Sequence, residues 1–185
     1  MSERALARTG TLVLAGFALL WAVSGLHVAP AAARIPLLVA ATVLTAIVLA
    51  LGLTRPRPQV TRRLAASWMR RFNQVGAVQG LLIGGVCLVA IPTGHPRLIP
   101  TLVLAIVAAH FVPLVAILRQ REYLGTALAL ALVAVGSLVS YVLGMPELAA
   151  AVASLGAAVV LWVTALVVTR PVMASSTSPE TVSRV

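Results

Sequence analysis

The chain predicts an all-α fold, a polytopic transmembrane bundle of six helices with both termini on the cytoplasmic side. Three observations carry that prediction. Six apolar stretches fill most of the sequence, each of about 20 residues, the length a helix needs to cross the roughly 30 Å hydrocarbon core of a bilayer. The composition is 61% hydrophobic and 10% charged, with a mean hydropathy of +1.06, whereas soluble domains carry about one quarter charged residues. The basic residues, all 14 of them arginine, are distributed unevenly between the two sets of helix ends.

The helices are expected near residues 10–29, 35–53, 73–91, 98–118, 124–143 and 148–169 of a single membrane domain covering 1–170. At 185 residues there is room for these spans and short connections, and none for a sizeable soluble domain between them. Pro30 and Pro36 flank the first link, Pro92, Gly94 and Pro96 the third, and Gly144 with Pro146 the fifth, each a turn signal. The first span has a competing reading. Arg4 and Arg8 precede an apolar core ending in Ala31, Ala32 and Ala33, the pattern of a signal-peptidase site, but the core is longer than the 7–15 residues usual for a signal peptide. An intact first span is therefore the expectation.

Orientation follows from arginine. Arg4, Arg8, Arg55, Arg57, Arg62, Arg63, Arg70, Arg71, Arg119, Arg121, Arg170 and Arg184 lie at one set of ends, and only Arg34 and Arg97 at the other. Basic residues of short loops stay in the cytoplasm, which puts both termini there. Within the longest connection, residues 54–72, a helix is expected after Thr61, with Leu64, Trp68 and Phe72 on one face. Arg62, Arg63, Arg70 and Arg71 then become the candidate contacts to anionic lipid headgroups. The tail, 171–185, is rich in Ser, Thr and Pro and has too little apolar surface to fold, so mobility is expected.

Between helices in lipid, association depends on close packing of small residues and on interhelical hydrogen bonds. In the third span Gly76, Gly80 and Gly84 recur every four residues, within about 80° of one another on a helical wheel, with Asn73 and Cys87 on the same face. That face is expected to touch another helix closely. Gly136, Ser140 and Gly144 in the fifth span, and Ala150, Ser154 and Ala158 in the sixth, repeat the pattern.

Polar residues inside a span are costly and are the default candidates for a site. His110 lies about 12 Å, at 1.5 Å per residue, from the cytoplasmic end of the fourth span, and Gln79 at a similar depth in the third. With Asn73 and Gln74 they define a candidate polar site in the inner half of the bilayer, Ser137 being a further partner for the imidazole. Pro113 loosens the helix just beyond His110. The other reading of the same residues is a structural interhelical link. A weaker polar stripe, Thr126, Ser137, Ser140 and Tyr141, runs along the fifth span, while Thr42 and Thr45 in the second can bond their own helix carbonyls and need no external partner.

Several functions are disfavoured. The four acidic residues, Glu3, Glu122, Glu147 and Glu180, lie outside the spans or at their edges, so an intramembrane carboxylate for ion coupling is missing. His27, His95 and His110 do not share a depth suited to two-histidine haem ligation. One cysteine excludes an intrachain disulfide, and neither H-E-x-x-H, G-x-S-x-G nor a P-loop is present. No cofactor, metal or enzymatic activity is expected. The net charge of +10 fits lipid headgroups rather than nucleic acid, because the arginines sit at helix ends. Arginine without lysine, together with abundant alanine, has the flavour of small membrane proteins of high-GC bacteria, so the expected location is a bacterial cytoplasmic membrane. The expected role is helix packing and assembly with a homo-oligomer or a membrane-protein partner, the alternative being a small transporter or channel subunit with its site around His110.

Overall fold

The computed structural model describes residues 3–54, 66–118 and 121–168. Among these residues the structure is all-helical: α1 (Glu3–Gly25), α2 (Ala31–Thr54), α3 (Ala66–Ala90), a 3-10 turn (Pro96–Leu98), α4 (Ile99–Leu118), α5 (Glu122–Val142) and α6 (Pro146–Val168). Every expected helix is present. Five of them are long and apolar enough to cross a membrane, and the apolar part of α1, Thr9–Gly25, is shorter. Arg62, Arg63, Leu64 and the tail 171–185 lie outside the described residues. From Ala66 onward the connecting segment is continuous with α3, and Phe72, Arg70 and Arg71 are exposed on it.

The helix starts differ from expectation at one proline. Pro36 does not flank the first link but lies inside α2, which begins directly after Pro30. Ala33 donates its backbone N–H to the Pro30 carbonyl at 2.8 Å, and the Arg34 Nε donates to the Ala29 carbonyl at 3.1 Å. Near a helix start most N–H groups have no intrahelical acceptor, so a proline in the second turn forfeits a single bond. Ala31 to Ala33 are thus part of α2.

Sequence neighbours pack as hairpins, with the exception of α2 and α3, and α6 ties the bundle together. It packs against α1 and α5, and more lightly against α4 and α2, while α3 packs against α4, and α2 against α1. The reason is visible along α6: Ala149, Ala153, Ala157, Ala158 and Ala165 are fully buried. A methyl side chain lets a neighbouring backbone come close, and alanines spread over about half the helix circumference let neighbours approach from two sides. Elsewhere the surface is apolar. Leu81 and Leu88 on α3 are each 78% exposed and Leu132 on α5 is 73% exposed, a continuous apolar exterior that a water-soluble monomer does not present.

The glycines of α3 do not pack against another helix of the chain. A Cβ placed on Gly76, Gly80 or Gly84 meets nothing within 4 Å, so the face expected to be closely packed is open. The packed face of α3 lies to one side of it and carries Val75, Gln79, Ile83, Val86 and Ala90. Close approach occurs instead at two glycines that the periodicity did not single out. A Cβ on Gly25 would lie 3.2 Å from both Ser154 Cβ and Leu155 Cδ2, and one on Gly156 would lie 2.5 Å from Val133 Cγ1. At Gly136 the contact is ordinary, 4.0 Å to Val152. Gly144 is not a packing residue: its φ of +78° places it in the left-handed region that ends a helix.

Candidate functional site

The residues of the intramembrane candidate do not form one hydrogen-bonded cluster. Asn73 and Gln74 are exposed on α3, and Gln79 is half-buried on the face turned to α4. His110 is half-buried on α4, its ring reaching the backbone of Val75 on α3 and standing edge-on to Phe111 at 6.2 Å. Its Nδ1 is buried with no hydrogen-bond partner. Ser137, read as a partner for the imidazole, is committed elsewhere. Its fully buried hydroxyl donates to the Ala149 carbonyl on α6 at 2.8 Å and lies 2.6 Å from the Thr101 hydroxyl on α4. Because a serine has a single hydroxyl proton, and Ser137 gives it to Ala149, Thr101 is the donor to Ser137.

The same relay recurs across the bundle. Thr126 on α5 and Thr164 on α6 share a hydrogen bond at 2.8 Å, and each hydroxyl also reaches a carbonyl of its own helix, Glu122 at 3.3 Å and Val160 at 2.8 Å, so either can be the donor between them. Trp162 Nε1 donates to Thr45 Oγ1 on α2 at 3.0 Å, and Thr45 passes its own proton to the Ala41 carbonyl at 2.8 Å. Ser24 donates to the Trp21 carbonyl at 2.7 Å and meets Ser154 across the α1 and α6 contact at 3.3 Å. Thr42 and Thr45 do bond their own helix carbonyls as the sequence suggests, but Thr45 also accepts an external partner. Ser140 bonds the Gly136 carbonyl of its own helix at 2.9 Å. The buried hydroxyls of Thr101, Ser137, Thr126, Thr164, Thr45 and Ser154 thus link helices, while those of Thr42 and Ser140 bond only their own helix.

A second constellation forms where α3 turns into α4 and α5 into α6. Both corners have the same construction. His95 donates its N–H to the Ala90 carbonyl and Gly94 to Ile91, while Met145 donates to Ser140 and Gly144 to Tyr141. Gly94 and Gly144 both have φ +78°, completing two Schellman motifs. A proline then opens the next helical segment in each, Pro96 and Pro146, where its missing N–H costs nothing. The sequences are Gly94-His95-Pro96-Arg97 and Gly144-Met145-Pro146-Glu147.

The two corners lie side by side. Arg97 Nη2 meets Glu147 Oε1 at 3.1 Å, with the side chains 63% and 59% exposed. Tyr141 Oη and His95 Nδ1 are 3.3 Å apart. A cleft of about 470 Å³ opens here, lined by Gly94, His95, Pro96, Arg97, Tyr141, Gly144 and Pro146. Along the chain the glycines and prolines are turn signals, and His95 and Arg97 stand more than forty residues from Tyr141 and Glu147. The signal that could have found them is the recurrence of Gly-x-Pro followed by opposite charges.

No group of three or more histidine, cysteine or acidic residues suited to a metal occurs among the described residues. Comparison with protein-family models, with curated proteins and with solved structures gave no match.

Proposed function

We propose that this chain is a multi-pass integral membrane protein that acts by associating with another transmembrane helix, and that α3 provides the contact. The observation that carries this reading is the open glycine face. Gly76, Gly80 and Gly84 share one side of α3, nothing lies within 4 Å of a Cβ placed on any of them, and the single cysteine, Cys87, sits on the same side, half-buried. In lipid, apolar surface alone gives little drive to associate, and small residues that let backbones approach supply packing energy in its place. The reading has six spans, both termini in the cytoplasm of a bacterial cell, the arginine-rich ends against anionic headgroups, and no catalytic step or cofactor.

Photo-crosslinking tests it. A photoreactive residue at Ala77, exposed beside Gly76 and Gly80, is expected to give an adduct in native membranes, of twice the chain mass where the partner is a second copy. Gly80→Ile is expected to abolish that adduct. Absence of any adduct from position 77 would remove the association reading.

One observation favours a second reading, passage of a solute or proton past His110: its Nδ1 is buried without a partner. The cleft at the two corners is not lined by Gln79 or His110, which weighs against this reading. A flux assay in vesicles decides it, since loss of transport in His110→Ala with thermal stability retained would establish a site there.

A further inference from the structure

We propose that the cleft between the two Gly-x-Pro corners is a recognition site for a phosphoethanolamine group, a phosphate diester joined through two carbons to a primary ammonium. The site rests on the multi-pass reading given above, but not on association through α3.

Its location is the first argument. The apolar segments Met69–Ala90, Pro96–Ile117, Glu122–Val142 and Pro146–Val168 all have an end at this cleft. In a chain that spans a bilayer, such a place lies at the boundary between hydrocarbon and headgroups. Ile91, Val142 and Leu143, on the same turns, are 61%, 77% and 66% exposed, apolar surface for the acyl chains that continue from a headgroup.

The second argument is chemical. Arg97 and Glu147 present opposite unit charges 3.1 Å apart, and His95 with Tyr141 adds an imidazole and a phenol, each able to hydrogen-bond a phosphate oxygen. An anionic headgroup approaching this pair is attracted by the guanidinium and repelled by the carboxylate. A zwitterion satisfies both: its phosphate takes the Arg97 fork, and its ammonium donates to Glu147. The choice of a primary amine follows from Glu147, since a quaternary ammonium has no N–H to give a carboxylate. An ion pair this exposed is held weakly, so exchanging it for a ligand costs little.

The same chemistry is carried by a lipid headgroup and by soluble glycerophosphoethanolamine. The test uses the full chain in nanodiscs of equimolar phosphatidylethanolamine, phosphatidylcholine and phosphatidylglycerol, with retained lipid counted by native mass spectrometry. A chain that does not enter nanodiscs would fail the multi-pass reading before any lipid is compared. The expected result is about fivefold enrichment of phosphatidylethanolamine over both others, of the order an exposed charged pair supports, lost in Arg97→Gln and in Glu147→Gln. Equal retention of the three lipids by the unmodified chain would overturn the proposal without reference to any variant. So would enrichment that persists in both variants. Addition of millimolar glycerophosphoethanolamine separates the sources: displacement of the lipid shows that the soluble group is also a ligand, and retention shows that the lipid is the one recognised.

Discussion

Arg97 and Glu147 occupy the same place in two copies of one structural motif, and they bond each other at 3.1 Å. Each follows the proline that opens a helical segment after a left-handed glycine, Gly94 in one corner and Gly144 in the other. The pairing therefore reports that the α3–α4 and α5–α6 hairpins lie side by side with their corners level.

Because both side chains are more than half exposed, the pair is expected to add less than about 1 kcal/mol to stability. Arg97→Gln and the exchange Arg97→Glu with Glu147→Arg should both leave the melting temperature in detergent within a few degrees of the parent. A large drop in either would mean that the corner pair holds the hairpins together.

Ser137 is the centre of a three-helix relay, and Thr101 is at its end. Ser137→Ala removes the donor to the Ala149 carbonyl and the acceptor for Thr101 together, whereas Thr101→Val keeps the bond to Ala149. Interhelical hydrogen bonds in membrane proteins average about 0.6 kcal/mol and reach about 1.7. Thermal denaturation should place Ser137→Ala near the upper figure and Thr101→Val near the lower. The reverse order would contradict the assigned proton direction.

Trp162 and Thr45 supply a polar tie between α6 and α2. A double-mutant cycle with Trp162→Phe and Thr45→Val is expected to give a coupling of about 0.6 to 1.7 kcal/mol. Additive effects would show that the indole contributes packing alone.

The glycines separate into two kinds, and alanine substitution should distinguish them. At Gly156 an added methyl runs into Val133 at 2.5 Å, a β-branched side chain with little freedom to turn aside, so Gly156→Ala is expected to cost about 1–3 kcal/mol. Gly80→Ala meets open space and removes a helix-weakening residue, so the single chain should be as stable or gain up to about 1 kcal/mol. Equal losses at both positions, read by melting temperature, would contradict the packing described.

Position 110 gives a further expectation. The buried Nδ1 has no partner, and a buried unpaired polar atom costs free energy that an apolar replacement does not. His110→Leu removes this unpaired atom but also the ring's reach to the Val75 backbone, so it should melt within a few degrees of the parent. A fall of several degrees would show that the imidazole is held by a bond its surroundings supply.

The number of helices, their approximate limits and the glycine-ended corners are properties of short stretches of chain. Apolar run length and the placement of glycine and proline depend only on local sequence, and the six helices follow them to within a few residues, apart from the α1 start and the α3 start at Ala66. Pro36 lies inside α2 and does not mark its start, because a proline near a helix start sacrifices little. Contacts are a different kind of property. A period of four identifies which residues share a face but not whether that face is covered, so Gly76, Gly80 and Gly84 were expected to be packed and are open, while Gly25 and Gly156 form the close approaches. The hydroxyl relays and the Arg97 and Glu147 pair likewise depend on the rotation and height of two helices relative to each other. Those quantities are set by the fit of both surfaces at once, with α6 between its neighbours, and only the tertiary structure decides them.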